Sequence, residues 1–199
     1  DEAAWRTALT EFTAKSDGRL DVLVNNAGIL SSGRFEEIPL EAQQRMVAVN
    51  VTGTLNGCHT AFPHLAATPG AHVINLCSAS AMYGQPELAT YSATKFAVRG
   101  LTEALDLEWA DHDITVRAAW PLFVRTAMTD DMDIATSRNL GIRLTADDVA
   151  REILDMVKPH RLPQPVHRAV GLQAKALVAS SHLAPSWLMR AVNGRMARG

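Results

Sequence analysis

Residues 21–28, DVLVNNAG, decide how the rest of the chain is read. Val22, Leu23 and Val24 are consecutive apolar residues with no polar alternation. A strand with one wet face alternates, so an unbroken apolar run predicts a strand buried on both faces, as in a parallel sheet. Asn25, Asn26, Ala27 and Gly28 then fit a strand exit. The pattern recurs downstream. AHVINLCS (71–78) predicts a second buried strand, and ITVRAAW (114–120) a third that Pro121 stops. QPVHRAV (164–170) predicts a weak last strand.

Helical stretches separate these strands. DEAAWRTALTEFTAKS (1–16) spaces Ala4, Ala8, Leu9 and Phe12 along one face and ends before Gly18. Pro39 suits the start of a helix from about Leu40 to His64, with Pro63 near its end. LATYSATKFAVRGLTEALDLEWA (88–110) predicts a long helix, and Thr145 caps another over 146–158 with acids in its first turn. Two further helical segments close the chain, parted by Pro185. Residues 123–144 are polar and aperiodic, and are expected to be a mobile loop acting as a substrate lid. Alternating strands and helices predict an α/β fold, a Rossmann-like doubly wound parallel sheet. One domain is expected over residues 1–199, with 159–199 a basic C-terminal extension and not a separate domain. In such sheets ligands bind beyond the carboxyl ends of the strands. Asn25 to Gly28, Ser78, and Pro121 to Thr126 all fall there.

Of the 199 residues 47% are apolar and 20% charged, and the net charge is −2, as for an ordinary soluble globular protein. Nothing in that balance points to nucleic acid. No apolar run is long enough to span a bilayer, and no signal-peptide pattern precedes the first helix. Cys58 and Cys77 lack metal-ligand or CxxC spacing and read as small core residues in a reducing, cytoplasmic setting. No metal site is expected. After Asp155 every charged residue is basic: Lys158, Arg161, Arg168, Lys175, Arg190, Arg195 and Arg198. Such a tail can touch anionic lipid or an acidic partner; more often it is simply a solvated face.

The chemistry centres on YSATK, residues 91–95. Tyr91 and Lys95 stand at i and i+4 on one helix face. An ammonium beside a phenol favours the phenolate, so Lys95 is expected to lower the tyrosine pKa from its usual value of roughly 10. Tyr91 would then act as a general acid or base. Ser78, at a strand end, can bond the same substrate oxygen. This set suits reversible reduction of a carbonyl. No side chain carries a hydride, so a nicotinamide cofactor is implied. Alone, Y-x-x-x-K is a common surface pattern; the ordered combination with the serine and the two strand exits gives it meaning.

Taken together, LDVLVNNAG, VNVTG, VINLCSAS, YSATKFAVRGLTEAL and WPLFVRTAM resemble the short-chain dehydrogenase/reductase family over about residues 1–158. The resemblance implies Tyr91 as catalytic acid/base, Lys95 on the nicotinamide ribose, Ser78 positioning the substrate oxygen, and Asn50 holding a water that links Lys95 to solvent. Asn50 reads alternatively as a cap or kink in its helix. Asn26, Ala27 and Gly28 would line the adenosine side of the cofactor, with Gly28 permitting close approach. Pro121, Val124 and Thr126 would lie at the nicotinamide. The cofactor is NAD or NADP, the substrate an alcohol or ketone, and the assembly a homodimer or homotetramer. Ala97, Val98, Leu101, Leu105 and Trp109 offer a candidate apolar seam, though some of them must face the sheet.

Two departures accompany the resemblance. The family has Pro-Gly where this chain has Pro121-Leu122, so a leucine side chain would narrow the pocket. The family also begins with a strand, a glycine-rich turn and a helix that hold the pyrophosphate, and no such turn occurs here. These residues are therefore expected to be the remainder of a longer chain and, by themselves, to hold no ordered dinucleotide. Without that front part the first strand would have a bare edge. Met82, Phe123, Met128 and Met132 border the expected substrate site and favour a lipophilic substrate, with core packing an equal alternative for each of them. Competing readings are a noncatalytic Rossmann-like binding or scaffold protein, and a lipid-surface protein led by Trp187, Leu188, Met189 and their arginines.

Overall fold

A computed structural model describes residues 1–130, 134, 138, 141–183 and 185–196. In chain order the elements are α1 (Glu2–Thr13), β1 (Val22–Asn25), α2 (Leu40–Val47), a π turn (Ala48–Thr52), α3 (Gly53–Ala66), β2 (His72–Leu76) and α4 (Ala89–Glu108). There follow β3 (Thr115–Pro121), β4 (Val124–Arg125), α5 (Ala127–Asp130), β5 (Leu144–Thr145), α6 (Ala146–Met156), β6 (His167–Val170), α7 (Gly171–Leu183) and α8 (Ser186–Met196). Strands β1, β2, β3 and β6 form one parallel sheet in that spatial order. Helices pack on both faces. Leu23, Val73 and Val116 meet α1, α3 and α4 through Leu9, Leu65 and Leu105. Ile74, Ala119 and Val170 meet Val149 and Met156 of α6 on the other face. Fully burying such an aliphatic side chain contributes about 1.5–3 kcal/mol, which is why the apolar runs become the sheet centre.

The first strand departs from expectation. Leu23 and Asn25 are buried, but Val22 and Val24 are 37% and 38% exposed. Successive strand side chains point to opposite faces. The Val22–Val24 face is thus left partly open, and among the described residues β1 pairs only with β2. The candidate seam on α4 divides, with Ala97 exposed and Leu101 half-buried. Val98, Leu105 and Trp109 are buried in the core, so they face the sheet.

The expected helix over 40–64 forms, but not as one regular α-helix. Between α2 and α3 the chain takes a π turn at Ala48–Thr52, with Asn50 buried at its centre. Further along, a Cβ on Gly57 would lie 2.3 Å from Asn25 Oδ1 and 3.0 Å from Trp5 Cζ2. Only glycine lets α3 approach β1 and α1 so closely.

Residues 123–144 are not a plain loop. β4 pairs in parallel with β5, and buried Ile134 packs with Leu88, Leu30, Tyr91 and Phe123. The rest of the lid expectation, including Met132 and the acids at 131 and 133, lies outside the described residues. Thr145 opens α6 with a capping box: its Oγ1 accepts the Asp148 N–H at 3.3 Å, and the Asp148 carboxylate accepts the Thr145 N–H at 2.9 Å.

The C-terminal helices are partly core. Ala174 and Asn193 are buried, and Val178 packs beside Trp120 and Val98, whereas Trp187 is exposed. Trp120 stacks on His167 at 4.5 Å between centroids, and the Arg99 guanidinium lies 5.4 Å from its ring. Glu103 accepts from Arg99 at 2.9 Å and lies 2.7 Å from His167 Nε2, tying α4 to β6.

Candidate active site

A cleft of about 260 Å³ opens at the carboxyl ends of the strands. Ser78 follows β2 and caps a short 3₁₀ turn at Ala79–Ala81. Its Oγ accepts the Ser80 N–H at 3.1 Å and lies 3.2 Å from Ser80 Oγ. Tyr91 sits in the first turn of α4 and lines the same cleft, where the Ser78 hydroxyl acts to lower the pKa of its phenol. Lys95, one turn on, is buried and donates from Nζ to Leu76 O at 2.8 Å, with its ammonium 5.5 Å from the Tyr91 ring centroid.

The electrostatics reverse one expectation. Burial pushes the Tyr91 phenol up to about 12, and Ser78 draws it back only partly. Lys95 does not lower it. Its ammonium is directed at the Leu76 carbonyl, and its own pKa is depressed by burial. Desolvation opposes charge on both groups, so the phenol keeps its proton at neutral pH.

Asn50 stands behind the cleft and does not line it. Its Oδ1 accepts the Ile29 N–H at 2.8 Å, and its Nδ2 donates to Ile29 O at 2.9 Å and Thr94 Oγ1 at 3.1 Å. The π turn is what brings this amide to the exit of β1. A Cβ on Gly28 would lie 3.4 Å from Asn50 Oδ1 and 3.8 Å from Lys95 Nζ, so the missing side chain leaves room between them.

Of the residues singled out from the sequence, Ser78, Tyr91, Lys95, Asn26, Gly28, Pro121, Val124 and Thr126 line this one cleft. Ala27 is exposed and does not. Leu122, Phe123 and Met128 line it as expected, whereas Met82 packs against the Cys77–Trp120 cluster instead. Sequence reasoning missed Ser80, Gln85, Val149, Ile153 and Leu177. Ser80 was legible in its i+2 spacing from Ser78. The i, i+4 pair Val149 and Ile153 on α6, and Leu177 on α7, arrive through tertiary packing and leave no local trace. A phenol, a hydroxyl and an ammonium in an otherwise apolar cleft can pass a proton to or from one oxygen atom. Among the described residues no group of His, Cys, Asp and Glu could hold a metal, and no helix is long and apolar enough to cross a membrane.

Comparison with known proteins agrees with this geometry. The family model for short chain dehydrogenase matches residues 1–136. A 3-alpha-(or 20-beta)-hydroxysteroid dehydrogenase of Mycobacterium bovis is 41% identical over 128 residues, 64% of this chain and 47% of that protein. The chain thus spans about half the length of this curated relative. Among solved structures, a 3-ketoacyl-(acyl-carrier-protein) reductase from Brucella melitensis complexed with NADH is similar at TM-score 0.75 and 31% identity, over 85% of this chain and 73% of that one. ElxO with NADP bound is similar at TM-score 0.75 and 26% identity, over 85% and 73% of the two chains.

Proposed function

This chain belongs to the short-chain dehydrogenase family, and from that premise we propose that it serves an oxidoreductase interconverting an alcohol and a ketone with NAD(H) or NADP(H). The observation that carries the reading is the convergence of Ser78, Tyr91 and buried Lys95 in a single cleft.

The residues present fit the nicotinamide end of such a cofactor. A lysine ammonium has three donors and Leu76 O takes one, which leaves donors for ribose hydroxyls. Gly28 leaves open the space beside it, and Asn26, Pro121, Val124 and Thr126 supply further walls. When bound, the cofactor supplies or accepts the hydride. Ser78 and Tyr91 then hold the reacting oxygen between two hydroxyls. In reduction Tyr91 gives its proton to that oxygen as it gains negative charge; in oxidation the phenolate takes the hydroxyl proton. Asn50 would hold a relay water through the remaining acceptor capacity of its side chain or its backbone.

Apolar walls from Leu88, Phe123, Val149 and Ile153 favour a lipophilic substrate, in line with the hydroxysteroid named for one relative. The two cysteines are buried and unpaired with each other, as a reducing, cytoplasmic setting allows. The test is a panel of secondary alcohols and ketones with both cofactors, followed at the absorbance of the reduced nicotinamide. Turnover that requires Ser78 and Tyr91 is expected; cofactor binding without turnover on any member would favour a binding role.

A further inference from the structure

Asn193 of α8 is 3% exposed and donates from Nδ2 to Met189 O at 2.8 Å. A backbone carbonyl only accepts, so the Asn193 nitrogen must face it and Oδ1 must face away. That oxygen lies 2.8 Å from the amide of Gln85, which must therefore present nitrogen, and the same Nε2 lies 3.4 Å from Tyr83 O. The main chain is held as well, since the Gln85 N–H donates to Ser92 Oγ at 3.1 Å. The network thus fixes which atom of Gln85 is left over. It is the carbonyl oxygen, Oε1, buried and without a hydrogen-bond partner. A buried carbonyl without a donor is costly, and natural proteins keep few of them. Gln85 lines the cleft that holds Ser78 and Tyr91.

We propose that Gln85 Oε1 is a specificity contact, an acceptor awaiting a second hydrogen-bond donor on the substrate, a hydroxyl or N–H set apart from the oxygen held at Tyr91. The inference rests on the oxidoreductase reading of the cleft. It narrows the substrate class to ketones, and their alcohols, with an apolar body and a distal donor. A purely apolar ketone leaves Oε1 unpaired, while a donor-bearing one satisfies it. Asn193 is a positioning residue here. From the far end of the chain it turns the Gln85 amide so that oxygen, not nitrogen, is free.

The test uses the full chain and a series of methyl ketones of increasing length, each paired with its ω-hydroxy counterpart. Affinity is measured by ligand-observed NMR, with turnover recorded separately. At the best-fitting length the hydroxy compound is expected to bind more tightly by on the order of tenfold. Gln85→Met should abolish that preference by weakening the hydroxy ligand alone. Asn193→Ala, which keeps Gln85 but frees its amide to flip, should reduce it. Equal affinities across the whole series, or a preference unchanged in a folded Gln85→Met variant, would overturn the proposal. A preference seen in binding with no turnover would retain the Gln85 contact and reject the oxidoreductase reading. Turnover with no preference would do the reverse.

Discussion

Because burial holds the Tyr91 phenol at about 12, the group is an acid at neutral pH and a base only to a small fraction. Carbonyl reduction needs the acid and alcohol oxidation needs the phenolate. For oxidation, kcat/KM should climb nearly tenfold per pH unit from neutrality until another group or the fold gives way, while reduction stays nearly flat. Paired pH profiles check this, and an oxidation rate that levels near pH 7 would show that bound cofactor resets the phenol. Tyr91→Phe removes the transferable proton and little else, so turnover should fall by roughly 10²- to 10⁴-fold with an unchanged melting curve. The Ser78, Tyr91 and Lys95 set was legible because it lies on one strand end and one helix face. The direction of the tyrosine shift was not, because spacing places the ammonium near the ring but cannot weigh burial or the pull of the Leu76 carbonyl.

At the level of elements, the π turn at Ala48–Thr52 is the clearest case of tertiary structure overriding local pattern. Nothing in VNVTG forbids a regular helix. The extra residue is tolerated because Asn50 gains both backbone groups of Ile29 and the hydroxyl of Thr94. Asn50→Ala would leave the half-buried N–H and C=O of Ile29 without this partner, while the Thr94 hydroxyl keeps its bond to Tyr91 O, at a cost of about 1–3 kcal/mol. Chemical denaturation is the measurement, and a loss below about 0.5 kcal/mol would mean that solvent replaces the amide. The cap at Thr145 was legible for the opposite reason: a capping box is local, and Thr145 and Asp148 stand three apart in sequence.

For the molecule as a whole, the order of strands and helices was readable from apolar runs, but not which residues face outward. On α4, Phe96 and Leu107 are 40% and 79% exposed. Eleven residues return a helix to nearly the same side, and exposed Ala93, Gly100 and Ala104 flank that line. This exposed apolar line suits self-association better than the buried Val98, Leu105 and Trp109. Phe96→Glu combined with Leu107→Glu should convert a homodimer to a monomer in sedimentation while the melting curve holds. A wild-type chain that sediments as a monomer at micromolar concentration would dispose of the seam.

The stack of Trp120 on His167 also gives the protein an optical handle. An imidazolium quenches an excited indole in contact far better than a neutral imidazole does. Burial depresses the His167 pKa, and the Glu103 carboxylate opposes that only partly, so the ring protonates below the ordinary histidine range. Trp120 emission should therefore stay bright at neutral pH and dim on acidification, and Trp120→Phe should remove that step from the total signal. Since Trp120 adjoins Pro121 in the cleft wall, ligands entering there should be visible by their own disturbance of the same emission, with no label attached.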